Sequence, residues 1–208
     1  MPNTKGERTR QKILNTAKTL IGNKSYDAVT TRMIAAEAGC SQSAIAFYFT
    51  TKENLCKCVV EDIIKYHILF YQPLYDSLQE AESRGPISRV EALKFLQMYL
   101  QMQIKIAMDP RNLCAVRLSI NSTAIPDGLY APLNTCIRKY VTKPIADLLT
   151  VIHPMPLNKA IVYSQALSNS IIGFPFTGVT LKEEYLETGD IELQQHILDF
   201  CMDFIESL

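Results

Sequence analysis

The stretch Thr30-Thr31-Arg32-Met33-Ile34-Ala35-Ala36-Glu37-Ala38-Gly39-Cys40-Ser41-Gln42-Ser43-Ala44-Ile45-Ala46-Phe47-Tyr48-Phe49 leaves this chain fewer conformational choices than any other segment. Thr30 is placed to cap a short helix with its hydroxyl. Ile34 and Ala38 lie one turn apart on the inner face of that helix, and Ala35 is small enough to let another helix cross closely. Gly39 stands where the chain must leave the helix in a left-handed conformation, which glycine adopts without a Cβ penalty. Ser41 recaps a second helix almost at once, and Ile45 and Phe49 supply its inner face. Two short helices joined by a tight turn are the geometry of a helix-turn-helix, which rests one helix on the DNA backbone and sets the next in the major groove. Helical hairpins also occur in proteins that never touch DNA, so the residues left on the outer face carry the argument.

Gln42 and Ser43 fall at the N-terminus of the second helix, where base edges are reached, and glutamine has the paired donor and acceptor that fit adenine. Arg32 opens the preceding helix within reach of guanine or phosphate. Thr50, Thr51, Lys52 and Glu53 fit a capping box with Thr50 as cap and Glu53 returning to it, which would leave free amides beside a cation. Lys52 and the phenol of Tyr48 complete a phosphate clamp on this reading. The alternatives are a solvated first-turn lysine and a half-buried core aromatic.

The rest of the chain reads as helix, because apolar residues recur at three- and four-residue spacing without a convincing strand pattern. The expected fold class is all-α. Glu7 to Ile21 forms a first helix with Ile13, Ala17, Leu20 and Ile21 on one face, stopped by Gly22-Asn23. Tyr26 and Val29 plug the small core. A long helix runs from Lys52 to about Tyr71, where Pro73 predicts a kink or an end. Glu82 to Ser88 is a loop, and further helices are predicted over Arg89 to Met108, Arg111 to Thr123, Pro132 to Ile152, Asn158 to Gly173 and Ile191 to Ser207, with the Gly178 to Gly189 stretch as a break. Each break holds proline or glycine.

Zero net charge conceals an asymmetry. Residues 1–58 carry nine Lys/Arg against four acids, a net of +5, so the remainder is −5. A basic piece is drawn to phosphate while an acidic body is repelled from it. No apolar run follows the basic residues at the start, and none approaches the roughly 18 residues of a membrane span, so the expected location is the cytoplasm with no membrane partner. Six cysteines lack metal-ligand spacing with the three histidines, so neither a metal, a cofactor nor a disulfide framework is expected.

Over the first 60 or so residues the chain resembles the DNA-binding domain of the TetR/AcrR family of bacterial regulators. The resemblance rests on Thr-Thr-Arg-x-Ile-Ala-x-x-Ala-Gly, then Ser-x-x-Ala-Ile, then Tyr-Phe-x-x-Lys-Glu-x-Leu ending at Leu55. It implies that Thr31, Arg32, Gln42, Ser43, Ala44 and Tyr48 match positions that contact DNA, and that Lys52 matches the phosphate-binding lysine. Ala46 stands where many members carry a tyrosine that contacts the backbone, Cys40 replaces a common valine, and Ser43 is often glycine. The resemblance further implies two domains, a helix-turn-helix domain over residues 1–55 and a helical effector-binding and dimerisation domain over 56–208. The expected partners are a pseudo-palindromic double-stranded operator, a second copy of the chain and a small-molecule effector.

In the second domain, by analogy, the helices bearing Ile161, Ala166, Ile171 and Ile172 and bearing Ile197, Cys201 and Phe204 make a four-helix dimer interface. The alternative is that both pack only within the monomer. Phe95, Met98, Tyr99, Met102, Met108, Arg117, Asn121 and Tyr130 are candidates to line an apolar pocket with a few polar groups, for an aromatic or amphipathic ligand. As core residues they would need no ligand, since methionine also fills gaps. A thiol sensor on the same DNA module is a competing reading, because Cys40 sits in the turn itself; buried cysteine, however, is ordinarily an inert small hydrophobe. An enzyme is not expected. His67, His153 and His196 are far apart in sequence and belong to no catalytic motif, so no catalytic residue is assigned.

Overall fold

The structure, a computed structural model, describes residues 5–109, 112–120, 125–184 and 190–208. The described residues are helical throughout, without a strand, as expected: α1 (Lys5–Lys24), α2 (Thr31–Ala38), α3 (Gln42–Phe49), α4 (Lys52–Ser83), α5 (Arg89–Ala107), α6 (Leu113–Ile120), α7 (Asp127–Ile137), a π-helical turn (Arg138–Thr142), α8 (Lys143–Ile152), α9 (Leu157–Glu184) and α10 (Asp190–Glu206). The chain divides into two compact units, Met1–Tyr66 with Arg117–Thr135 and His67–Val116 with Cys136–Leu208.

In the first unit α1 packs on α2 and α2 on α3. Ile13, Leu14, Ala17 and Ile21 of α1 are buried with Val29, Ile34, Ala38, Ile45, Phe49, Leu55, Val59 and Ile63, so a small core gathers around the α2–α3 turn. The first helix does not stop at Gly22-Asn23. It continues to Lys24, and Ser25 makes the exit at φ +84°, its amide bonded to the Ile21 carbonyl. An internal glycine costs about 1 kcal/mol, too little to end a helix whose last turn is anchored by buried Ile21. Tyr26 is only half-buried and leaves the plugging of the core to Val29.

The second unit is centred on α5, which packs against α8, α9 and α10, while α8 also packs on α9. Ser88 caps α5 with a reciprocated capping box from Glu91. The long helix α4 runs through Pro73 to Ser83 rather than ending near Tyr71. A proline inside a helix costs about 3 kcal/mol, and burial of Tyr71, Leu74 and Leu78 on either side of it offsets that loss. Two further boundaries differ from expectation. α7 starts at Asp127, ahead of Pro132, because the Pro126 carbonyl receives the amides of Leu129 and Tyr130 and buries Leu129 and Leu133. α9 passes Gly173 and reaches Glu184, so part of the predicted break is helical. The helix expected over Arg111 to Thr123 is seen as α6, the flanking positions 110–111 and 121–124 lying outside the described residues.

The π-helical turn has a cause in Pro144. Proline has no amide to give residue 140 and its ring crowds that carbonyl, and the wider turn avoids the clash by bonding the Lys143 amide to the Arg138 carbonyl. The Thr142 carbonyl is taken up by the buried hydroxyl of Ser164 on α9, at 2.9 Å.

Candidate functional site

The α2–α3 element is held by its own ends. The Thr30 hydroxyl accepts the Met33 amide at 3.2 Å and the Ser41 hydroxyl accepts the Ala44 amide at 3.2 Å. Gly39 takes φ +62°, ψ +42°, and its amide bonds Ala36 while the Cys40 amide bonds Ala35. That pair of bonds is a Schellman motif, which closes α2 on its last free carbonyls.

The junction after α3 departs from the expected capping box. Thr50 is the C-cap of α3, at φ +63°, ψ −56°, and the Thr51 amide reaches back to the Phe49 carbonyl at 2.6 Å. This is a γ-turn of the rarer kind with positive φ, a strained conformation for a β-branched residue. The cap of α4 is therefore Thr51, whose hydroxyl accepts the Asn54 amide at 3.1 Å. Glu53 pairs instead with Lys57 one turn on, at 2.9 Å. Two adjacent threonines offer the same hydroxyl, and the turn geometry gives the role to the second.

The candidate DNA contacts then fall on α2, on α3 and on the first residue of α4. Arg32, Gln42 and Ser43 are exposed, while Thr31, Ala44, Tyr48 and Lys52 are half-buried. The Ser43 hydroxyl is engaged with that of Ser41 at 2.8 Å, which leaves Gln42 as the freer polar group at the start of α3. The Lys52 ammonium lies over the Tyr26 ring, 4.0 Å from its centroid, a cation–π contact that holds the cation in place. Burial, with the nearby Cys56 thiol and the Glu53 and Asp27 carboxyls, raises the Tyr26 phenol above its ordinary range.

Neighbouring basic residues are occupied by packing. The Arg10 guanidinium sits 5.0 Å from the Phe49 centroid with Nη2 3.6 Å from the Cys58 sulfur, and Lys18 is ion-paired with Asp62. Phe47 was not singled out by its sequence, yet it is 81% exposed on α3, its ring edge-on to Tyr48 at 5.0 Å. The missed signal is simple helical phase: Phe47 lies opposite the Ile45 and Phe49 face.

The candidate pocket residues separate. Phe95, Met98, Tyr99, Met102 and Met108 belong to the second unit, Arg117 and Tyr130 to the first, and Asn121 lies outside the described residues. Arg117 donates to the Asn23 side chain at 2.5 Å and Tyr130 to the Ser119 carbonyl at 2.6 Å. Met98 and Met102 line an open groove of about 570 Å³ with Leu69, Phe70, Pro73 and Leu74. Phe95 and Met108 are half-buried.

Tyr99 points to the interior, fully buried, with its ring near-parallel to that of Tyr71 at 6.4 Å. One turn along α5, Gln103 is 3% exposed, and neither of its amide atoms nor the Tyr99 hydroxyl has a hydrogen-bond partner. The Ser168 hydroxyl on α9 is likewise unpartnered. Each such group costs on the order of 1–3 kcal/mol when left unbonded. Burial holds the phenol of Tyr99 well above its usual range and lowers His67 to about 4, so both are neutral at pH 7. A lone amide at a helix interior looks like any surface glutamine in sequence, which is why Gln103 gave no signal.

Of the candidate dimer residues, Ile171, Ile197 and Cys201 are buried inside the protomer. Ile161, Ala166 and Phe204 are exposed and Ile172 is half-buried, with Val162 and Phe200 adding to the exposed apolar surface of α9 and α10. The rings of Tyr163 and Phe204 meet edge-on at 6.3 Å. All six cysteines are free. Burial pushes the Cys56 and Cys201 thiols up to about 11 and raises Cys136, which keeps them protonated at neutral pH. Among the described residues no cluster of His, Cys, Asp and Glu has the make-up of a metal site, and no helix is long and apolar enough to cross a membrane.

The sequence profile of bacterial regulatory proteins of the tetR family matches residues 13–58. No curated protein sequence matches the chain. Among solved structures, AibR in complex with isovaleryl coenzyme A and operator DNA is similar with a TM-score of 0.67 at 12% identity, covering 92% of this chain and 97% of that one. NalD of Pseudomonas aeruginosa, the secondary repressor of the MexAB-OprM multidrug efflux pump, gives 0.60 at 17% identity over 95% of each chain. FadR of Bacillus subtilis in complex with stearoyl-CoA gives 0.58 at 14% identity, over 92% and 96%. At these identities the likeness establishes a common fold.

Proposed function

We propose that the chain, whose residues 13–58 match the profile of bacterial regulatory proteins of the tetR family, is a DNA-binding regulator of transcription, a ligand-responsive repressor that binds a pseudo-palindromic operator as a homodimer. Residues 1–55 form the DNA-binding domain and residues 56–208 the effector-binding and dimerisation domain on this reading. The observation that carries it is the α2–α3 element: two capped helices locked by Gly39, with Arg32 and Gln42 free on the outside. Gln42 reads a base edge and Arg32 reaches guanine or phosphate. Lys52, held over Tyr26, takes a backbone phosphate with Tyr48, and Thr31, Ser43 and Ala44 line the contact. Two such helices about 34–36 Å apart would engage successive major grooves.

The dimer face is the exposed apolar surface of α9 and α10, Ile161, Val162, Ala166, Phe200 and Phe204, which a second copy would remove from water. The effector is an aromatic or amphipathic molecule bound in the second unit near Tyr99 and Gln103, whose buried polar atoms lack partners and where the Tyr99 ring stacks on that of Tyr71. The acyl-CoA complexes of AibR and FadR show that this fold accommodates amphipathic ligands in those proteins. Effector binding would shift the dimer to a spacing that no longer fits the operator, through differential affinity for two states.

The test is a gel shift and footprint of the full chain on the DNA upstream of its own coding sequence, with sedimentation to establish the dimer. Binding that prefers one sequence and weakens steeply with salt is expected. Binding that lacks both properties overturns the proposal.

A further inference from the structure

We infer that Phe47 reads thymine methyl groups in the major groove, so that part of this chain's operator preference comes from apolar contact rather than hydrogen bonding. The inference rests on the DNA-binding reading above and adds to it a base-reading residue and the chemical group that it recognises.

The eight residues of α3 bury Ile45 and Phe49. Because an α-helix turns through about 100° per residue, the direction opposite those two side chains is the one taken by Phe47. Its 81% exposure is the consequence. Ala46 beside it is exposed and Ala44 half-buried, and both are too short to shield the ring. The edge-on contact with Tyr48, 5.0 Å between centroids at 81°, limits where the ring can swing. One turn before it, the Ser43 hydroxyl is committed to Ser41. The centre of the outward face of α3 is therefore two methyl groups and a phenyl ring, with Gln42 as its polar edge.

In the major groove an A·T pair presents one methyl, the C5-methyl of thymine, and a G·C pair presents none; the other recognition features are hydrogen-bond donors and acceptors. An outward phenyl on a helix that enters that groove has one matching partner. The surroundings favour DNA over an apolar protein surface as the occupant, since exposed Arg32 lies on the adjoining helix and half-buried Lys52 begins the next. A phenyl ring also leaves no polar group unpaired against a methyl, whereas at any other base edge it would desolvate donors and acceptors without replacing them.

The experiment selects the preferred duplex from a random-sequence library with the full-length protein, then replaces each thymine of that duplex singly by deoxyuridine. The replacement removes the methyl group and keeps every hydrogen-bonding atom. Loss of one or two thymine methyls is expected to weaken the wild-type protein roughly three- to fivefold per site, the value of one buried methyl, while Phe47→Ala binds the thymine and uracil duplexes equally. Because Phe47 is exposed, the variant keeps its fold, which circular dichroism and melting verify. If no uracil substitution changes wild-type affinity, or if Phe47→Ala retains the same sensitivity, the inference is wrong although the regulator reading stands. If the protein selects no sequence at all, the regulator reading fails and takes this inference with it.

Discussion

The helix ends around Gly39 and the interior of α5 both carry polar side chains, and they treat them differently. At Thr30, Ser41 and Thr51 each hydroxyl accepts an amide within three residues of itself, so the polar atoms are satisfied by the backbone beside them. On α5 the Tyr99 hydroxyl and both amide atoms of Gln103 are sealed from water with no partner. The first arrangement is complete as soon as the local chain folds. The second leaves hydrogen-bonding capacity unspent in an apolar interior, which is the condition expected of a domain that answers to a ligand, as proposed above. Polar groups at these helix ends are thus settled by the local chain, while those on α5 are left without a partner by the packing around them.

The comparison can be broken most directly in the small unit. Ile45→Ala opens a cavity under α3 and should cost about 2–5 kcal/mol by denaturant unfolding, with loss of DNA binding. A retained affinity would mean that α3 is not held by its inner face. A next effect separates the second unit by pH. His67 has its pKa lowered by burial to about 4 from 6.5. The unfolded chain therefore binds a proton between those values that the folded chain refuses, so stability falls as pH drops from about 6.5 towards 4, by up to ~3 kcal/mol. Replacement by Phe should flatten that part of the profile, measured as melting temperature against pH.

Removing polar atoms should have opposite signs in the two regions. Gln103→Leu deletes unpartnered buried groups and should stabilise the free protein by ~1–3 kcal/mol, whereas Ser41→Ala deletes a satisfied cap and should destabilise it by ~1 kcal/mol. If both changes destabilise, the α5 amide has a partner within the chain. The smallest shift concerns the γ-turn. Thr50→Gly should relieve positive-φ strain and stabilise by about 1 kcal/mol, with a rise in melting temperature as the readout.

The helix-turn-helix was legible because its devices are short-range: a hydroxyl three residues before the amide that it caps, and a glycine at the left-handed position. Where the reading slipped it was over choices that only packing decides. Gly22 and Gly173 were read as helix ends and Pro73 as a kink or an end, and in each case the helix continues; buried Ile21 holds the turn at the first, and Tyr71 and Leu74 flank the proline. Thr50 and Thr51 were indistinguishable as caps until the turn between α3 and α4 fixed which faces Asn54. Ile171, Ile197 and Cys201 were grouped with Ile161 and Phe204 by hydrophobicity, a property common to core and interface alike, and burial parts them. Gln103 and Phe47 were invisible for a related reason, since an amide in a core and a phenyl in solvent are exceptions to the rule by which sequence is read.

The single strained residue between α3 and α4 has a mechanical meaning. Thr50 closes one helix and Thr51 opens the next, so no idle residue separates them to absorb a twist. A longer linker would let the two axes drift independently through soft dihedral changes. Here the bond from the Thr51 amide to the Phe49 carbonyl closes the joint, leaving no spare residue through which the two axes could drift.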